Sequence, residues 1–144
     1  MRRELIPLTL MYSQDQEEIQ GRTRFQKMVF LLQQEFEKTE FYDFEAYDYG
    51  PFSKGLYDDL DDLIERNLVE ETREEFDEDK VYYEYKLTDV GQELIERLSD
   101  QEETQDIMVL SERLKQEINS KDLSVVLDRV YSEYPEYAEN SVLR

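Results

Sequence analysis

A chain of 144 residues with 37 Asp and Glu against 17 Lys and Arg carries a formal net charge of −20, and it contains neither Cys nor His. Disulfides, thiolate chemistry, Cys/His zinc sites and a histidine base are thereby excluded. Its 11 Tyr and 7 Phe argue for a packed interior behind a charged surface rather than a disordered chain.

Acidic residues fall in every segment, which favours adaptation to concentrated salt over nucleic-acid mimicry or one dedicated basic partner. At molar salt the Debye length is about 3 Å, so self-repulsion and phosphate contacts would both be screened. The N-terminal apolar run is too short for a signal peptide, and no run reaches the roughly 20 apolar residues of a membrane span. The expected location is cytoplasmic.

In chain order, Leu5, Ile6, Leu8, Leu10 and Met11 predict a first helix from Arg3 to Ser13, with Pro7 tolerated in its first turn. Ser13–Gly21 reads as a loop. Phe25, Met28, Val29, Leu32 and Phe36 then mark one face of a second helix, whose start carries Arg22, Arg24 and Lys27. Thr39–Tyr49 is aromatic and acidic, with Phe44–Tyr49 readable as extended, and Gly50-Pro51 stops it. Ser53 is placed to cap a third helix with a stripe of Leu56, Leu60, Leu63, Ile64 and Leu68.

Leu68–Phe76 and Val81–Leu87 predict a hairpin joined by Asp77-Glu78-Asp79-Lys80, with Val81, Tyr83, Tyr85 and Leu87 on one side and Tyr82, Glu84 and Lys86 on the other. Thr88 caps the next helix, where Asp89 suits the positive dipole end and Val90, Leu94, Ile95 and Leu98 form the stripe. After a charged linker from Ser99 to Thr104, Ile107, Leu110, Leu114 and Ile118 predict one helix. Leu123, Val126, Leu127, Val130 and Tyr134 predict another, ending at Pro135.

This order predicts a mainly α fold with a small antiparallel β-hairpin wing, a winged helix-turn-helix with additional C-terminal helices. Residues 1–98 form the winged unit, and residues 99–144 form a helical extension for dimerisation or packing on it. From Gly21 to Leu98 a closer resemblance appears. Gly21-Arg22-Thr23-Arg24-Phe25-Gln26-Lys27-Met28-Val29-Phe30-Leu31-Leu32, then Tyr47-Asp48-Tyr49-Gly50-Pro51-Phe52-Ser53-x-x-Leu56, then Tyr85-x-Leu87-Thr88-x-x-Gly91 resemble the YwgA-like family of prokaryotic winged-helix proteins. The Gln26-Lys27 and Gly50-Pro51…Leu56-Tyr57 pieces are also similar to the Panacea antitoxin domain. These resemblances imply a winged-helix fold, a regulatory or DNA-binding role and, for the second, a toxin partner.

The candidate DNA-binding residues are Arg22, Arg24, Lys27, Ser53, Lys54, Lys80 and Tyr82. The three basic residues at a helix N-terminus suit a phosphate backbone, the start of the third helix suits base edges, and Lys80 and Tyr82 sit on the wing. Each has a plainer role: pairing with the surrounding carboxylates, a carbonyl or buried acid for Lys27, and capping for Ser53. Asp58, Asp59, Asp61, Asp62 and Glu65 oppose base reading by the third helix and read as a solvated face or a dock for something basic. The aromatic group from Phe41 to Tyr49 reads as packing before base stacking.

With four Gly in all, no phosphate-cradling loop, nucleophile motif or metal motif is present, so no enzyme and no cofactor is expected. Two readings remain. One is a homodimeric regulator bound to double-stranded DNA. The other is a protein-interaction module, antitoxin-like or otherwise, that keeps the scaffold without reading bases.

Overall fold

A computed structural model describes residues 3–36 and 41–138. The chain is mostly helical, with a small antiparallel sheet. The expected start of the aromatic stretch at Thr39 and the last residues of the tail lie outside the described residues.

Helix α1 (Leu5–Gln16) buries Leu5, Ile6, Pro7, Leu8, Thr9, Leu10 and Met11 in succession, so it lies within the core rather than on it. Pro7 falls in the first turn, where its missing N–H costs nothing. Regular helix ends at Tyr12, and Gln14, Asp15 and Gln16 all take positive φ, a conformation costing about 1 kcal/mol or more apiece for residues with a Cβ. Lys115 of a later helix holds this bend by donating to the carbonyls of Met11 and Ser13 at 3.2 and 2.8 Å.

The stretch expected as loop contains a two-residue strand, β1 (Ile19–Gln20), with Ile19 fully buried. Gly21, at φ +85°, turns the chain into α2 (Arg22–Phe36). The apolar stripe of α2 packs as its spacing predicts. The aromatic segment forms a tight hairpin of β2 (Glu45–Tyr47) and β3 (Gly50–Phe52), closed by Tyr47 opposite Gly50. Gly50 takes φ +87°, and a Cβ there would stand 3.2 Å from the Tyr131 ring.

Helix α3 (Lys54–Glu65) buries Leu56, Leu60 and Leu63. It ends in a Schellman motif: Asn67, at φ +62°, donates to Ile64 O, and Leu68 N donates to Leu63 O at 3.0 Å, satisfying carbonyls that a helix end otherwise leaves open. Strands β4 (Val69–Asp77) and β5 (Lys80–Leu87) form the long hairpin, with Val69 opposite Leu87 and a bulge between Glu75 and Asp77. The sheet order is β1-β5-β4, with Ile19 opposite Tyr85 and Gln20 opposite Glu84.

Beyond Glu84 the hairpin is a two-stranded ribbon. Tyr85 and Leu87 are buried, but Val81 and Tyr83 on the same side are 44% and 41% exposed. Thr88 caps α4 (Asp89–Leu98) by accepting from Gly91 N. A Cβ on Gly91 would fall 2.2 Å from the Leu68 carbonyl oxygen, so only glycine lets the helix approach this closely.

Helices α5 (Glu102–Ile118) and α6 (Leu123–Glu133), with a short turn of 3-10 helix over Pro135–Ala138, complete the chain. Ile107, Leu114, Ile118, Val126, Leu127, Val130 and Tyr131 join the same core as Leu8, Phe30 and Leu60. Phe30 meets Phe44, Tyr134 and Tyr137 edge to face at 5.2, 5.1 and 4.8 Å. Both C-terminal helices thus pack into the shared core, while Val109 and Val125 remain exposed. No helix among the described residues is long and apolar enough to cross a membrane.

Candidate functional site

The site is organised by α2, whose polar residues point inward and satisfy irregular backbone. The Gln26 side-chain amide holds both backbone groups of Ser53, donating to its carbonyl at 2.9 Å and accepting from its N–H at 3.0 Å. Lys27 Nζ donates to the Pro51 carbonyl at 2.8 Å. Two turns on, Gln33 accepts from the N–H groups of Phe41 and Tyr42 and donates to the Tyr42 carbonyl. Each carbonyl or N–H would otherwise be buried unpaired, at a cost of about 1–3 kcal/mol.

Lys27 is 2% and Arg24 6% exposed. Burial pulls the Lys27 ammonium down to about 8, and burial likewise lowers Arg24. The Arg24 guanidinium donates to the carbonyls of Gln20 and Ile118, tying the start of α2 to the end of α5. The expected phosphate contacts by Arg24 and Lys27 are therefore not available in this structure. Their charges are spent on carbonyls, the alternative the sequence left open for Lys27.

Arg22 is the hinge between the interior and the surface. Its Nε donates to the Tyr85 hydroxyl at 2.9 Å, and one terminal nitrogen donates to Asp61 at 2.7 Å and Glu71 at 3.1 Å. The guanidinium lies over the Tyr57 ring at 4.6 Å and the Tyr85 ring at 5.6 Å. Tyr85 donates in turn to Glu71 at 2.6 Å. Burial alone would weaken the Arg22 charge, but the bonds to Asp61, Tyr85 and Glu71 outweigh it and raise its pKa. The other terminal nitrogen, Nη1, is buried without a partner.

Ser53 caps α3, its side chain accepting from Leu56 N at 3.1 Å, while its backbone is held by Gln26. Lys54 is exposed and pairs with Asp58 at 3.0 Å. Lys80 is exposed at the ribbon's turn opposite Asp77, and Tyr82 is half-buried opposite Glu74. Of the α3 acids, Asp58, Asp61, Asp62 and Glu65 face solvent. Asp59 departs from that expectation. It turns inward, accepting from Arg3 at 2.9 and 3.1 Å and from the Tyr42 hydroxyl at 2.8 Å. The structure brings Arg22, Lys27 and Ser53 together around the α2–α3 junction. Lys54 stands outside it, and Lys80 and Tyr82 lie out along the ribbon.

Beside Arg22 opens a pocket of about 410 Å³ lined by Lys27, Tyr47, Asp48, Tyr49, Phe52 and Tyr57, among others. Tyr47, Tyr49 and Tyr57 are 51%, 49% and 40% exposed. Phe52 sits between two of them, edge to face with Tyr47 at 5.3 Å and tilted against Tyr57 at 6.1 Å. The sequence had assigned Tyr47 and Tyr49 to packing. Strand alternation would send rings and acids to opposite faces, and it is the turn at Asp48 and Tyr49 that brings both to one opening.

Among the described residues no group of acidic side chains gathers as metal ligands would. No known family model matches the chain, and no curated protein matches it.

Proposed function

We propose that this chain is a protein-interaction module on a winged-helix scaffold, docking a basic partner through the outer face of α3 and the adjoining hairpin rather than reading DNA. The scaffold reading is supported by the order helix, strand, helix, short hairpin, helix, long hairpin, helix, and by β1 pairing onto β5. The resemblance of Gly21–Leu98 to the YwgA-like and Panacea families points the same way.

One observation carries the choice between the two functions. Arg24 and Lys27 at the head of α2 are buried, and Arg22 is neutralised by Asp61 and Glu71, while Asp58, Asp61, Asp62 and Glu65 stand exposed on the face that would enter a groove. Phosphate binding needs a cluster of uncommitted cations, and this surface offers the opposite sign. A basic surface would find complementary charge, which speeds encounter and fixes orientation.

The test pairs affinity capture, followed by identification of the bound protein, with mobility of labelled duplex DNA over a salt series. We expect one stoichiometric basic protein, lost when Asp58→Asn, Asp62→Asn and Glu65→Gln are combined, and no duplex shift at any salt where the protein is folded. A duplex shift, or capture of nothing but itself, overturns the reading.

A further inference from the structure

We propose that the pocket ringed by Tyr47, Tyr49, Phe52 and Tyr57 receives an arginine side chain of a partner protein, with Asp48 at its mouth as the counter-charge. The inference rests on the reading above and deepens it by naming the anchor that the partner must carry.

Three observations argue for a guanidinium as occupant. First, large rings crowd one opening: Tyr47, Phe52 and Tyr57 form a bent row with neighbouring centroids 5.3 and 6.1 Å apart. Aromatic rings gathered at one opening attract guanidinium groups more than neutral ones. Second, the protein already uses this chemistry at the pocket wall, where Arg22 lies 4.6 Å over Tyr57.

Third, the charges around the mouth favour a cation. Arg22 is occupied by two carboxylates, and Lys27 is 2% exposed with its Nζ turned to the Pro51 carbonyl. Both line the pocket, but their charged groups are turned to Asp61, Glu71 and the Pro51 carbonyl, and the donor left over on Arg22, Nη1, is itself buried. Asp48 is exposed at the hairpin turn, Asp58 and Asp61 are exposed on the neighbouring helix, and the chain carries −20 overall. A cation is drawn to such a mouth and an anion is turned away.

Arginine is favoured over lysine because its planar head can lie flat on a ring and fork onto the Asp48 carboxylate at once. The Arg22 arrangement shows the same pair of contacts: face to Tyr57, edge to Asp61.

The experiment titrates the full chain with the pentapeptide Gly-Gly-Arg-Gly-Gly at fixed ionic strength. It follows ring resonances of isotope-labelled tyrosine, with peptides carrying citrulline, lysine or glutamate at the centre as comparisons. The expected result is saturable shifts at Tyr47, Tyr49 and Tyr57 with the arginine peptide. Lysine should bind more weakly, and citrulline and glutamate not at all. Tyr47→Ala, at the half-exposed end of β2, should weaken binding about two- to fivefold, and Asp48→Asn by a similar factor. Shifts spread evenly over all surface tyrosines, equal binding of citrulline, unchanged affinity in both variants, or no saturation overturn the proposal.

The same variants separate this inference from the broader one. If the captured partner binds Tyr47→Ala and Asp48→Asn like wild type but is lost from the α3 variant, the pocket assignment falls and the module reading stands. If the arginine peptide saturates the pocket but wild type captures nothing, the reverse holds.

Discussion

Helices α2 and α3 meet at Gln26 and Ser53, yet they use their polar residues in opposite ways. Eleven of the 15 residues of α2 are buried, against three of the 12 in α3. On α2, Arg24, Gln26, Lys27 and Gln33 turn inward and bind main-chain groups of segments that lack regular partners. On α3, Asp58, Asp61, Asp62 and Glu65 turn outward, and Lys54 and Arg66 pair with Asp58 and Asp62 one turn away. Charge on the first helix therefore builds the fold, while charge on the second is held largely in exposed ion pairs, with Asp59 alone turned inward. A positive cluster in a sequence is not a positive surface, because carbonyls compete for it as well as phosphates.

Gln26→Leu is the sharpest way to break this contrast. It leaves the buried N–H and carbonyl of Ser53 without partners, and chemical denaturation should show a loss of about 2–4 kcal/mol. A loss under about 0.5 kcal/mol would mean that the clamp is incidental.

The pH dependence comes next. Burial holds Lys27 and Lys115 near 8, below the ordinary lysine value of 10.5. Between these values the unfolded chain binds protons that the folded chain has released, so stability rises with pH over about pH 8 to 10.5. Tyr42 and Tyr85 act in the other direction. Burial first, then hydrogen bonds to Asp59 and Glu71, raise them above the ordinary 10.0, so their contribution is complete below pH 10 and is lost above it. Denaturation midpoints should therefore peak near pH 10, and Lys27→Met should flatten the rise between pH 8 and 10. An identical slope in the variant would show that Lys27 does not titrate with folding.

The smallest effect belongs to α3. Asp58→Asn, Asp62→Asn and Glu65→Gln should each change stability by less than about 0.5 kcal/mol in moderate salt, since exposed pairs contribute little. In dilute buffer the triple variant should melt above wild type, because the −20 chain then repels itself over longer distances. Circular dichroism across a salt series reads both. A wild-type fold equally stable at every ionic strength would remove the argument for salt adaptation.

Much of the fold was legible because periodicity reports burial directly. The stripes of α2 and α3, the caps at Ser53 and Thr88 and the long hairpin follow from spacing and turn chemistry, whereas in the expected α4 stripe Ile95 is buried and Val90 stands 50% exposed. Strand β1 was not legible: two residues in a polar stretch carry no period, and only the edge offered by Tyr85 and Glu84 makes them a strand. The left-handed turn at Gln14–Gln16 was hidden for a similar reason, since Lys115 holds it from 100 residues away in the chain. At the site, the Tyr49–Ser53 motif located the junction correctly. Which way Arg24, Lys27 and Asp59 point depends on partners at Ile118, Pro51 and Arg3, and local sequence does not encode those.

The hairpin's anchorage has a mechanical consequence. Three strands clamp it at Tyr85 and Glu84, and past that line two strands continue alone to the turn at Asp77–Lys80. A ribbon fixed at one end is a lever with its fulcrum at Tyr85, the residue whose hydroxyl joins Arg22 to Glu71. The Gly21 N–H on the Tyr83 carbonyl completes that anchorage, and the outer half then depends on β4–β5 pairing, which as a two-stranded ribbon is marginally stable by itself.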